Sequence, residues 1–158
     1  MISTRPLTQQ DLPGIWWSGS PSHLRSVAKE LERCDRGEVA YLVVCEDGVP
    51  RAKGAVDFCH PSGLPTLGQL ATDPEHQRRG FGTELVAALE QEIVSRGLTT
   101  ARLGVEVDNE AAIALYMKLG YRAVGVETDS WQAEGPDGQM REYQAVCTVM
   151  ERGLAHPR

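Results

Sequence analysis

The sequence predicts a mixed α/β sheet with helices on both faces, built as one domain. Two observations carry that expectation. Apolar residues switch along the chain between the alternating period of strands and the three-to-four-residue period of helices, so the two kinds of element alternate. Short polar turns also join neighbouring strand-like runs into hairpins, so antiparallel pairs accompany any parallel ones. The chain has 158 residues, enough for one real hydrophobic core and too few for two ordinary domains.

The elements follow in order. Residues 2–6 form a short strand. Thr8 then caps a helix through Trp17, with Asp11 three residues on in capping-box style. Ser18, Gly19, Ser20 and Pro21 break it; Ser20 can cap the next helix, and Pro21 suits its first position. Leu24, Val27, Ala28 and Leu31 continue at helical spacing to about Arg36. The period then changes. Strands at 39–45 and 53–59 flank a turn at Glu46, Asp47 and Gly48, forming a hairpin. A Pro- and Gly-rich loop at 60–65 leads to a strand at 67–72. Gly80 opens a long helix in which Phe81, Leu85, Leu89 and Ile93 recur every four residues, and Gly97 closes it. A strand at 101–107 precedes a helix started by Asn109, with Ala112, Leu115, Tyr116 and Leu119 on one face and Gly120 at its end. The last strands, 121–128 and 143–150, are separated by a turn at 134–138. The domain is expected to span 1–152, with 153–158 as a C-terminal tail.

Composition narrows the partners. Hydrophobic residues make up 41% and charged residues 24%, which is ordinary usage and argues against wholesale disorder. The net charge of -6 argues against nucleic acid, whose phosphates need a basic surface. No run approaches the roughly 20 apolar residues of a membrane span, and residues 1–12 are polar with no signal-peptide core. A cytoplasmic protein without a membrane partner is expected. Cys34, Cys45, Cys59 and Cys147 are scattered and read as free thiols. Cys59 and His60 are adjacent, but no second ligand pair follows, so no metal site is expected.

The segment Gln77, Arg78, Arg79, Gly80, Phe81 and Gly82 carries the most chemistry. A helix start has backbone N–H groups without intrahelical partners, and with the helix dipole they make an anion site. Gly80 and Gly82 let a diphosphate approach the backbone. Arg78 and Arg79 add guanidinium charge, and Thr83 a hydroxyl. The same residues would also suit a solvated basic turn. Neither a dinucleotide GxGxxG nor a Walker A Gly-Lys-Ser/Thr is present there.

The run from Leu67 to Gly82 resembles the acyl-CoA motif of the GNAT superfamily of N-acetyltransferases. A second run, from Asn109 to Tyr121, matches at the expected distance. The resemblance implies a mixed, mostly antiparallel central sheet. It implies a bulged strand that splays from its neighbour, where the backbone of Leu70, Ala71 and Thr72 binds the pantetheine arm of acetyl-CoA. The pyrophosphate positions carry over to Gln77, Arg78, Arg79, Gly80, Phe81, Gly82 and Thr83, although Phe81 begins the apolar stripe and its side chain reads as core. Asn109 is both a cofactor-contact position and a good N-cap. Tyr116 lies two helical turns further on the same face. It matches the tyrosine that protonates the departing CoA thiolate in many members, and a phenol is protonated at neutral pH, as that role requires. A core aromatic is its plainer reading.

The resemblance also leaves roles open. Many members place a glutamate on or near the bulged strand; here the polar side chains are Gln69 and Thr72, and Gln69 could at most hold a water. Asp57 and Glu106 are candidate bases from neighbouring strands, each better read as a solvated strand-edge carboxylate. The acceptor side would use Trp16 and Trp17 near the N-terminus and Trp131 and Glu134 near the last hairpin, with core packing as the alternative for each Trp. The implied activity is direct acetyl transfer to a primary amine of a small molecule or peptide of unknown identity, in a monomer or homodimer. The alternatives are a sensor or scaffold that keeps the acyl-CoA site with little transfer, and a nonenzymatic nucleotide-phosphate binder.

Overall fold

The computed structural model describes residues 1–154. Among them, seven strands form one sheet: β1 (Ile2–Pro6), β2 (Val39–Glu46), β3 (Val49–Asp57), β4 (Thr66–Thr72), β5 (Thr100–Glu106), β6 (Arg122–Glu134) and β7 (Met140–Gly153). Their spatial order is β1-β2-β3-β4-β5-β7-β6. Every pairing is antiparallel except β4 with β5. Three α-helices are described: α1 (Pro21–Asp35), α2 (Phe81–Ser95) and α3 (Glu110–Lys118).

Strand β2 shows why the sheet takes helices on both faces. Leu42 and Val44 enter one core with Phe81, Leu85, Leu89 and Ile93 of α2. The alternate residues Tyr41, Val43 and Cys45 enter a second core with Val27 and Leu31 of α1. A strand with both faces buried reads as a continuous apolar run. Ala112, Ile113 and Tyr116 of α3 pack against the first core. Glu90 is buried there too, accepting hydrogen bonds from Tyr121 Oη and Arg152 Nη1, each at 2.7 Å.

Several boundaries differ from expectation. Residues 9–18 form a 3-10 helix rather than an α-helix. Pro13 removes a backbone donor inside this segment, and Ile15 leaves helical geometry. The Asp11 carboxylate does accept the Thr8 N–H, at 2.8 Å. The first hairpin is tighter, with β3 starting at Val49 rather than Lys53. Asp47 and Gly48 both have positive φ, 49° and 82°, the signature of a two-residue type I′ turn. The last hairpin is longer, paired from Arg122–Glu151 out to Glu134–Met140. Its outer half is mostly exposed, so no clean one-sided apolar alternation marked it. β7 also runs through Gly153 into the expected tail, and Leu154 donates its N–H to Thr99 O at 2.7 Å. Residues 155–158 of that tail lie outside the described residues.

Two irregularities shape the centre of the sheet. Lys53 pairs with Ala71 and Ala55 with Gly68, so Gly54 opposes both Gln69 and Leu70. That two-against-one count is a bulge on β4, and Gln69 takes φ 54° there. Beyond the bulge, β4 and β5 part. Their parallel ladder is registered only at Thr66–Arg102, leaving the rest of that edge of β4 without a strand partner.

Candidate functional site

The splay opens into a cavity of about 650 Å3 between β4, α2 and α3. Leu70, Ala71 and Thr72 line it from the unpaired edge of β4. Gln77, Arg78, Gly80, Phe81, Gly82 and Thr83 line it from the turn and the start of α2, and Asn109 and Tyr116 from α3. One cavity therefore collects positions from all three stretches singled out in the sequence.

The turn has the local geometry of an anion site. Gly80 is the N-cap of α2 with φ 87°, and no side chain caps the helix. Its first-turn N–H groups are thus left for an external acceptor. A β-carbon at Gly82 would lie 3.4 Å from Thr72 Oγ1, so β4 and α2 close tightly at this wall. Arg78 also has positive φ, 66°, a costly conformation for a residue with a side chain. Arg79 is the one member of the expected set that does not line this cavity. It pairs with Glu46, with Nη1 3.2 Å from Oε1, and its guanidinium lies 5.1 Å from the Phe81 ring centre. Arg79 holds the Glu46 carboxyl below its usual range. The Phe81 side chain is buried in the core.

On α3, the Asn109 side chain accepts the Ala112 N–H at 3.2 Å, so it caps the helix as well as lining the cavity. Tyr116 packs edge-on against Tyr121, ring centres 5.9 Å apart. Burial pushes its phenol pKa upward, keeping the proton on the oxygen at neutral pH.

A second cavity, about 310 Å3, includes Ser20, His23, Gln69 and Trp131 in its lining. Consecutive residues of β4 at the bulge serve the two cavities, Gln69 lining the second and Leu70 the first. Trp131 stacks on Tyr143, ring centres 6.5 Å apart. Trp16, Trp17 and Glu134 do not line this space; Trp16 is 71% exposed and Trp17 packs against the α1 core. Asp57 is held by Arg33, 2.8 Å from Nη2, which removes it as a free base. Gln69 is also occupied, its Oε1 accepting from Tyr41 Oη at 2.7 Å.

Two residues passed over in the sequence stand behind this second cavity. Lys53 on β3 is fully buried, and its Nζ lies 2.9 Å from His23 Nε2, 3.0 Å from Tyr41 Oη and 2.8 Å from the Gln69 carbonyl oxygen. The available signal was a lysine at a core-facing position of a short strand between Ala52 and Gly54.

The uncapped start of α2 and the unpaired edge of β4 thus both leave backbone groups open on one cavity. Residues 9–121 match the acetyltransferase (GNAT) family profile, and the chain belongs to that family. Among characterised relatives, the [ribosomal protein bS18]-alanine N-acetyltransferase of Salmonella typhimurium is 48% identical over 56 residues, 35% of this chain and 38% of the relative. The chain therefore covers well under half the length of that relative. The solved ribosomal-protein-S18-alanine N-acetyltransferase of Escherichia coli superposes with TM-score 0.74 at 23% identity, covering 100% of this chain and 97% of that one. An N-acetyltransferase from Thermoplasma acidophilum, solved in complex with coenzyme A, gives TM-score 0.70 at 16% identity, covering 98% and 99%. These two structural likenesses are likenesses of fold.

Proposed function

We propose that the chain is an acetyl-CoA-dependent N-acetyltransferase that moves an acetyl group directly to a primary amine of a small molecule or peptide. The observation carrying this reading is the single cavity bounded by the uncapped start of α2, the unpaired edge of β4 and Tyr116. The cavity fits the cosubstrate: Gly80 has nothing within 4 Å of where a β-carbon would stand, leaving the helix start open. Backbone N–H groups from Gly80 onward, with Arg78 beside them, would hold the pyrophosphate. Backbone groups of Leu70, Ala71 and Thr72 would hold the pantetheine arm as a missing strand is held. The bound cosubstrate supplies the activated acetyl thioester. Tyr116 would donate its proton to the departing thiolate. Four free cysteines fit a reducing, cytoplasmic setting. Arg79 is the weakest member of the cofactor set, because Glu46 already engages it.

Relatives named for acetylating a ribosomal-protein alanine make an alanine-initiated peptide a reasonable first acceptor. The sensor reading draws on one observation, the absence of a carboxylate along β4.

Calorimetry with acetyl-CoA against ATP, followed by thiol-release kinetics, tests the proposal. Acetyl-CoA is expected to bind and ATP not to compete. Tyr116→Phe should lower kcat by about 10²-fold, the usual scale of a general acid, with acetyl-CoA affinity within about twofold, since only the transition state loses an interaction. Unchanged turnover would remove Tyr116 from the role. Equal binding of ATP would remove the acyl-CoA reading.

A further inference from the structure

We propose that His23 and Lys53 form a proton relay that accepts the proton an ammonium acceptor must lose before acetyl transfer, with His23 Nδ1 as the receiving atom and Lys53 Nζ as the store. The proposal rests on the acetyl-transfer reading and supplies what that reading lacks, a base. Asp57 is committed to Arg33, β4 carries no carboxylate, and Glu106, the last residue of β5, lines neither cavity.

The geometry suits such a pair. Lys53 sits inside the sheet against three neutral partners and no carboxylate. A buried ammonium without a counter-ion is costly, so this amine can give up or take a proton near neutrality where an exposed lysine cannot. Both protonation states leave every partner satisfied. As an ammonium, Lys53 donates to His23 Nε2, Tyr41 Oη and the Gln69 carbonyl. As a neutral amine it donates to Tyr41 and Gln69 and accepts the His23 Nε2–H. Only the imidazole tautomer changes between the two. Tyr41 donates its O–H to Gln69 Oε1 in either state.

His23 lines the second cavity together with Gln69, the residue of β4 next to Leu70 of the first. Its Nε2 is committed to Lys53, and its Nδ1 makes no hydrogen bond with any described residue. The His23 backbone is fixed in the first turn of α1, its N–H donating to Ser20 Oγ at 3.2 Å. Across the cavity stand Gln132 and Trp131 of β6, which carry no charge.

Among the described residues, few titratable groups face the pair. Tyr41 comes from β2, and β4 contributes only the amide of Gln69. Glu30 and Cys34 of α1 influence Tyr41, and Glu30 is itself paired with Arg33. Burial alone lowers the Lys53 pKa to about 7. Burial, and then the charge of Lys53, lower that of His23 to about 4. The added proton therefore comes to rest on Lys53, not on the imidazole.

The step balances. An N–H bond of the ammonium breaks as Nδ1–H forms, and the Nε2–H bond breaks as Nζ–H forms. The amine lone pair so freed attacks the thioester carbonyl carbon. The C–S bond breaks, and its electron pair leaves on sulfur, which takes the Tyr116 proton; the attacking nitrogen loses its second N–H proton as the amide forms, and that proton restores the Tyr116 phenol. Lys53 returns its proton to solvent by the reverse path through His23. His23 is the catalytic residue of the relay, and Lys53 acts through it.

The full chain contains three lysines, Lys29, Lys53 and Lys118, which suits lysine-selective 13C NMR titration. One resonance should titrate near neutrality in the wild-type protein, should be missing in Lys53→Met, and should move in His23→Gln. Thiol release is then followed from pH 6 to 9 at saturating acetyl-CoA, with an alanyl peptide amide, spermidine and glycine as acceptors. His23→Gln should lose about 10²-fold in kcat at pH 7 and recover most of it by pH 9, where solvent deprotonates the amine.

A Lys53 resonance titrating near 10 overturns the relay, and this readout needs no variant to fold. An equal loss at every pH, or no loss, also overturns it and leaves acetyl transfer standing. Absence of thiol release from wild-type protein with all three amines defeats the acetyl-transfer reading itself, and the relay falls with it.

Discussion

A lysine sealed inside a sheet among neutral partners has a different titration from the same lysine in an unfolded chain. Lys53 falls to about 7 when folded, from an unfolded value of about 10.4. Between those values the unfolded chain holds a proton that the folded chain does not, so stability rises with pH across that window. Below it both states are charged, and the full cost of burying the ammonium is present. Urea unfolding of wild type and Lys53→Met at pH 7 and pH 10 measures this. Wild type should gain on the variant by roughly 4 kcal/mol between the two; a gap independent of pH would mean Lys53 titrates normally. Neither Lys53 nor His23 announced this in the sequence, because thirty residues separate them and only folding brings Nζ to Nε2. Gly80 and Gly82, by contrast, were legible, since a glycine pair at a helix start has a local reason to exist.

At the scale of elements, the bulge on β4 sets the cavity wall, and Gly54 is the residue that permits it. A β-carbon at Gly54 would lie 2.3 Å from Leu70 Cδ2 and 3.1 Å from Leu85 Cδ2. Leu70 can yield by moving its side chain, but it lines the large cavity. Gly54→Ala is therefore expected to weaken acetyl-CoA binding several-fold by calorimetry while costing only about 1–2 kcal/mol of stability in urea. Loss of stability with unchanged affinity would separate the bulge from the site. Gly80→Ala acts differently, because φ 87° strains any side chain there. It should cost roughly 1–2 kcal/mol in the same urea experiment. The long helix α2, with its stripe of Phe81, Leu85, Leu89 and Ile93, was readable from period alone. The segment 9–18 was not, since Pro13 turned an apparent helix into 3-10 turns. The outer half of the β6–β7 hairpin was hidden because most of its residues are exposed.

Across the whole molecule, the mixed sheet with helices on both faces could be read from the alternation of periods, while the parting of β4 from β5 could not be read from periodicity. A splay is a relation between strands whose paired residues, Thr66 and Arg102, lie far apart in the chain; only family resemblance pointed to it. The proposed chemistry draws on both cavities, with the phosphate turn and Tyr116 lining the first, Gln69 and His23 lining the second, and Lys53 behind them. The most direct measurement is release of free CoA thiol from acetyl-CoA across a panel of primary amines, with the acceptor's mass checked for one added acetyl group. An N-acetyltransferase predicts thiol release that depends on the amine and an acetylated product. Tight acetyl-CoA binding with no acetylated amine in the panel would contradict it and favour a sensor built on the same cavity.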